Sequence, residues 1–212
     1  EGLKLEESGW TITGDFTDNG LSTWNPAGGI KMYKEDNAKW YVAKNVSMKE
    51  NGGADYTQFK ITNGSWDKAY RVDNLAVGKW QGAAEGGGNA WIPKGVYDIY
   101  YNYDKNIVLT TPPGSKALTV YLSWQDRPNL WFWSEESAIA DDMSVGWPGS
   151  EGMAETIDGW GYYKWMVVIP AANWGQSLKF IFNKDGNELQ TKNFQKITDA
   201  MFYNGENGDF LK

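Results

Sequence analysis

The chain contains no cysteine and no histidine. The first absence excludes disulfides, thiolate zinc sites and thiol nucleophiles. The second closes the Ser-His-Asp, Cys-His and histidine-zinc arrangements. Positive charge is also scarce, with 20 Lys and Arg against 27 Asp and Glu. Nucleic-acid binding draws most of its affinity from cations that neutralise phosphates, and aromatic platforms for single strands come with a positive groove. No basic run exists here, so a nucleic-acid partner is not expected. No stretch approaches the roughly 20 apolar residues of a membrane-spanning helix. The opening Glu1-Gly2-Leu3-Lys4 is not a signal peptide, so in an exported protein we expect the targeting segment to have been removed.

What the chain does hold is aromatic rings, including 13 Trp in 212 residues. Helical periodicity is nearly absent. Short alternating or aromatic-rich runs are broken by turn signals, the pattern of an all-β sandwich. Asn-Gly or Asp-Gly pairs begin at Asn19, Asn51, Asn63, Asp158, Asp185, Asn204 and Asn207, and such pairs take the positive φ of two-residue hairpins. Tyr97, Ile99, Tyr101 and Tyr103 alternate with Asp98, Asn102 and Asp104, which predicts a strand with one packed face. Tyr162 to Ile169 and Leu178 to Asn183 read as further strands. The double proline of Thr110-Thr111-Pro112-Pro113-Gly114-Ser115 cannot continue a central strand. The expected architecture is therefore two tandem antiparallel β-sandwich domains of the immunoglobulin-like kind, over 1–111 and 116–212. The alternative is a long loop within one sandwich.

Catalytic chemistry has few candidates left. A glycosidase needs only two carboxylates about 5 to 10 Å apart, and Glu135-Glu136 and Asp141-Asp142 are the evident pairs. Neighbours on a strand point to opposite faces, and such pairs in loops are solvated, so no enzyme is expected. The glycine run from Glu85 to Asn89 leads into a strand, Ala90-Trp91-Ile92-Pro93, and lacks the helix N-terminus that cradles phosphate. Asn183-Lys184-Asp185-Gly186-Asn187 has the wrong ligand spacing for calcium and reads as a hairpin turn. No metal and no cofactor is expected.

The tryptophans carry the functional reading. In Pro128-Asn129-Leu130-Trp131-Phe132-Trp133-Ser134, a strand puts Leu130 and Phe132 on one face and Trp131 and Trp133 on the other. Leu130 and Phe132 suffice for the core, leaving two indoles about 7 Å apart on the outside. The opposite register would bury both. Trp147 precedes Pro148-Gly149 in a loop where a large ring gains little from burial; tucked beneath the loop, it would form a satellite cluster. In the first domain Phe59 and Ile61 are expected to face inward and Lys60 outward, near Trp66 and the turn residue Trp24, where Lys60 would donate to sugar hydroxyls. Trp10, Trp40, Trp124 and Trp165 lie in strand runs and read as core. Trp80, Trp91, Trp160 and Trp174 have no clear place. Exposed rings suit a pyranose, whose C–H-rich face stacks on an indole while polar groups take its hydroxyl rim.

Two stretches resemble known families. Gly9-Trp10-Thr11-Ile12-Thr13-Gly14-Asp15-Phe16, Phe59-Lys60 through Trp66-Asp67, Gly87-Gly88-Asn89-Ala90-Trp91-Ile92-Pro93 and Gly95-Val96-Tyr97-Asp98-Ile99 resemble the starch-binding modules of Sus E/F-type outer-membrane lipoproteins. Leu130-Trp131-Phe132-Trp133, Trp147-Pro148-Gly149 with Met153, Gly161-Tyr162-Tyr163-Lys164-Trp165, and Phe180-Ile181-Phe182-Asn183 leading to Gln190-Thr191 resemble starch-binding modules of carbohydrate-binding families twenty-five and twenty-six. The resemblance implies non-catalytic binding of starch-like α-glucans, or malto-oligosaccharides, at the cell surface, beside an outer-membrane transporter or amylase. Its implied site residues are Trp24, Lys60 and Trp66 in the first domain. In the second they are Trp131, Trp133 and Trp147, with Gln190 and Asn193 as polar partners. We expect a monomer. The alternatives are an accessory region of a larger amylase-type hydrolase, and an adhesin or spacer whose rings serve packing alone.

Overall fold

The computed structural model describes residues 5–15, 23–35, 38–49, 55–123, 129–134, 147–173, 178–194 and 200–204. The side chains of 123, 132–134, 173, 178–180, 187–194 and 200–204 are outside that description. The described chain is all-β apart from a short 3-10 turn at Ala171–Asn173. It divides into two compact units, Glu1–Pro113 and Gly114–Lys212.

The first unit holds β1 (Glu7–Gly14), β2 (Ile30–Lys34), β3 (Trp40–Met48), β4 (Tyr56–Thr62) and β5 (Ala69–Arg71). It continues with β6 (Trp80–Gly82), β7 (Ala84–Glu85), β8 (Ala90–Pro93), β9 (Gly95–Asn102) and β10 (Ile107–Thr111). These pair antiparallel in the order β6-β10-β9-β3-β2-β1-β4-β5-β7, with β8 added beside β4. The first and last strands of that path are separated in sequence by Ala83 alone. One continuous sheet therefore runs almost back to its own start, nearly a barrel, where two separate sandwich sheets were expected. Full closure is the way a β-sheet removes its unpaired edges. Ile12, Met32, Met48, Phe59, Ile61, Ile92 and Ile99 fill its core.

β9 corrects a second expectation, because it is buried on both faces rather than one. Tyr97, Ile99 and Tyr101 pack into the core, while Tyr100 on the reverse face meets Trp40 edge-on at 5.8 Å and lies 6.3 Å from Trp80. Asp98 is fully buried there, accepting a hydrogen bond from the Asn45 backbone at 3.0 Å with the Lys44 ammonium at 3.6 Å. A buried carboxylate is tolerable only with such partners. Alternation of apolar and polar residues thus misled within β9, where Asp98 and Asn102 are buried and hydrogen-bonded; Tyr103 and Asp104 lie beyond the strand and are exposed.

The second unit contains two four-stranded sheets. One runs β14 (Met153–Ile157), β15 (Trp160–Ile169), β11 (Lys116–Ser123), β18 (Ala200–Asn204). The other runs β13 (Ser150–Glu151), β12 (Asn129–Ser134), β16 (Leu178–Lys184), β17 (Asn187–Phe194). The β11–β18 pair is parallel, which departs from the purely antiparallel expectation. Leu118, Val120, Leu122, Leu130, Val167 and Ile169 are buried. Trp165 and Phe182 bring the two sheets together, with ring centroids 5.6 Å apart, and the Trp165 indole donates to the Ser150 carbonyl at 2.7 Å.

Two dipeptides behave as their chemistry requires. Asp158-Gly159 and Asp185-Gly186 both hold positive φ at each residue, and join β14 to β15 and β16 to β17 as two-residue hairpins. Asn183 to Asn187 is thus a hairpin turn. The turns expected at Asn19, Asn51, Asn204 and Asn207, and the pairs Glu135-Glu136 and Asp141-Asp142, lie wholly or partly outside the described residues.

Candidate functional site

In the second unit, β12 and β16 pair Leu130 with Phe182 and Trp131 with Ile181. Leu130 and Phe182 are buried, so strand alternation leaves Trp131 on the opposite, half-buried face. Trp147 is 49% exposed and meets Trp131 edge-to-face, with centroids 6.3 Å apart and planes at 75°. Two indoles so disposed present a bent apolar shelf whose halves share one edge. Trp133 lies two positions along β12, backbone-paired with Lys179; its side chain is outside the described set.

The turn that displays Trp147 is held by amides from two neighbouring strands. Asn129 and Asn183 are direct cross-strand partners, and both are buried. Asn129 donates to the Gly149 carbonyl at 3.1 Å, and Asn183 donates to the Pro148 carbonyl at 2.9 Å. Asn183 also accepts the Gly186 backbone N–H at 2.9 Å, tying the hairpin turn to the same point. The Trp147-Pro148 peptide is cis. Gly149 takes φ +91°, and a Cβ there would sit 2.0 Å from the Leu130 carbonyl oxygen, so only glycine fits.

Gln190 and Asn193 both lie on β17, where Gln190 pairs with Phe182 and Asn193 with Lys179. Asn193 therefore occupies the backbone row that also contains Trp133, whereas Gln190 occupies the row of Leu130. Their side chains are outside the described residues.

In the first unit the three expected site residues come from two loops and strand β4. Trp66 is 54% exposed on the loop between β4 and β5, where the Asn63 carboxamide accepts from the Ser65 backbone at 3.2 Å and the Ser65 hydroxyl accepts from Asp67 N–H at 3.1 Å. Trp24 is half-buried in a turn with φ +48°. Among the described residues, no ring contact or hydrogen bond joins Trp24, Lys60 and Trp66.

Lys60 requires a correction. It does project from β4 opposite Phe59 and Ile61, yet that face is covered and Lys60 is only 8% exposed. Its ammonium donates to the Gly86 carbonyl, and burial, followed by the nearby Arg71 charge, pushes its pKa below the ordinary lysine value. It braces the glycine-rich segment and is not free for a ligand. Sequence reading missed this because Gly86 and Arg71, which meet its ammonium, lie beyond β4 in the chain.

The remaining tryptophans divide cleanly. Trp40 and Trp165 are core as expected, Trp80 joins them, and Trp10 is half-buried against Tyr41, Tyr70 and Tyr101. Trp91 and Trp160 are exposed, Trp160 by 72% at the Asp158-Gly159 hairpin. Trp124 and Trp174 lie outside the described residues. Among the described residues no group of three or more acidic side chains is arranged to hold a metal, and no helix is long and apolar enough to cross a membrane.

No protein-family model and no curated protein matches the chain. Among solved structures, a pullulanase from Bacillus acidopullulyticus aligns over 90% of this chain and 28% of its own length, at 11% identity and a TM-score of 0.23.

Proposed function

We propose that this chain is a non-catalytic binding protein for starch-like α-glucans, acting at the cell surface through exposed tryptophan platforms. The observation that supports it is the Trp131–Trp147 pair, two indoles set edge-to-face, with Trp131 on β12 and Trp147 on a turn pinned by buried Asn129 and Asn183. A glucose face stacked on each indole hides about 60 Å² of apolar surface, worth about 1.5 kcal/mol at roughly 25 cal/mol/Å². Two such contacts, after ordering losses, give micromolar-to-millimolar affinity. Weak sites of this kind become effective on a polymer through repeated attachment. An outer-membrane lipoprotein context, with a transporter or amylase as neighbour, is the setting in which that affinity is useful.

Affinity electrophoresis in gels containing amylopectin, pullulan, dextran or xyloglucan tests the reading. Retardation by amylopectin and pullulan is the expected result. The Trp131→Ala, Trp133→Ala double variant, folded as judged by near-ultraviolet circular dichroism, is expected to lose the second unit's share of it. Migration of the wild-type chain unchanged in every gel overturns the proposal.

A further inference from the structure

The first unit carries an open face that the sequence analysis left unassigned. β4 and β8 pair Tyr56 with Pro93 and Gln58 with Trp91. Thr57, Phe59, Ala90 and Ile92 are buried, so Tyr56, Gln58 and Trp91 share the outer face, with Tyr56 and Trp91 as diagonal neighbours. Tyr56 is 51% and Trp91 56% exposed. A hollow of about 740 Å³ opens beside them, lined also by Arg71, Asp73, Asn74 and Asn89.

The polar groups around this hollow are held in place. Arg71 Nε donates to Asp73 Oδ1 at 2.9 Å, and Arg71 Nη1 donates to the Glu85 carbonyl at 3.0 Å. Asn89 donates to Gln58 Oε1 at 2.9 Å. Lys60, on the same side of β4, holds the adjoining Gly86 carbonyl. Gly88 lies so close that a Cβ would sit 3.2 Å from the Arg71 stem, and its φ of +91° excludes most side chains. Other groups are unspent: among the described residues the Tyr56 hydroxyl, the Trp91 indole N–H and the Asn74 carboxamide have no hydrogen-bond partner.

We propose that this Tyr56–Trp91 face is the first unit's glucan site, in place of Trp24, Lys60 and Trp66. Two flat rings receive sugar faces, and free hydroxyl, indole and carboxamide groups take the rim. Arg71 and Asp73 neutralise each other, so the hollow offers no net charge to an ionic ligand and suits a neutral polyol. The proposal rests on the α-glucan reading given above.

The test uses the whole ¹⁵N-labelled chain and maltoheptaose. Substitution Trp91→Phe removes one indole N–H signal and thereby identifies it. In the wild-type chain, and equally in the Trp131→Ala, Trp147→Ala variant, maltoheptaose is expected to shift that signal. Tyr56→Ala is expected to raise the concentration needed by about tenfold, the loss of one stacked ring, with the other indole signals marking an intact fold. If other indoles respond while the Trp91 signal stays fixed at saturation, the site assignment is wrong and the α-glucan reading stands. If no indole responds, the α-glucan reading fails and this assignment with it.

Discussion

At the scale of single residues, what separates the tryptophans is whether each ring has somewhere to go. Trp40, Trp80 and Trp165 are buried, and the indoles of Trp40 and Trp165 are satisfied by Glu35 and the Ser150 carbonyl. A buried indole N–H without a partner would cost about 1–3 kcal/mol. Trp147 is half exposed, and what it would lose is its edge-to-face contact with Trp131. Trp147→Ala is expected to lower maltoheptaose affinity about tenfold and stability by about 1 kcal/mol, measured by calorimetric titration and urea unfolding on the same sample. Lys60 gives the opposite case. Its pKa is lowered in the folded state, so between that value and 10.5 the unfolded chain binds the extra proton and stability rises with pH. Lys60→Met is expected to flatten that rise in urea midpoints collected from pH 8 to 10.

At the scale of elements, local chemistry and long-range pairing contributed differently. The Asp158-Gly159 and Asp185-Gly186 hairpins were legible because positive φ is a property of two adjacent residues. The outward placement of Trp131 was legible for a similar reason, since strand alternation ties it to the burial of Leu130. The amide clamp was not, because Asn129 and Asn183 lie 54 positions apart and become partners only when β12 meets β16. Asn183→Ala removes the donor to the Pro148 carbonyl and the acceptor for Gly186 N–H. We expect a stability loss of about 1–3 kcal/mol and a weaker glucan response at Trp147, read by thermal unfolding and fluorescence titration. Substitution Asn183→Asp keeps the acceptor but buries a carboxylate against the Pro148 carbonyl, and should be at least as destabilising as Ala. Gly149→Ala should be the more damaging change, since its Cβ would run into the Leu130 carbonyl.

At the scale of the whole molecule, the composition predicts its response to pH. With no histidine, no side chain has an unperturbed pKa between pH 5 and 8. Maltoheptaose affinity is expected to be flat from pH 6 to 8.5. Alkaline behaviour differs. Burial raises the pKa of Tyr97, Tyr101 and Tyr121, and of Tyr41. The unfolded chain therefore loses these protons first, and the stability they contribute is complete below pH 10 and lost as pH rises beyond it. Tyr101, whose hydroxyl donates to Asn106 at 2.9 Å, is the strongest contributor. Tyr101→Phe should make the decline above pH 10 shallower in urea midpoints.

Composition and local pattern were enough to establish an all-β chain rich in turns, without histidine or cysteine chemistry, carrying more indoles than a core of this size requires. Those are one-dimensional properties, set by side-chain type, by the two-residue period of a strand and by the positive φ of Asn-Gly and Asp-Gly. Only the folded arrangement decided which indoles face water, that β9 is buried on both faces, that Lys60 is a covered brace, and that Tyr56 and Trp91 flank one hollow. Burial depends on which strands lie alongside, and in the first unit β4 is flanked by β1, β5 and β8, one before it and two after it in the chain. A residue's neighbours across a sheet leave no mark on its neighbours along the chain.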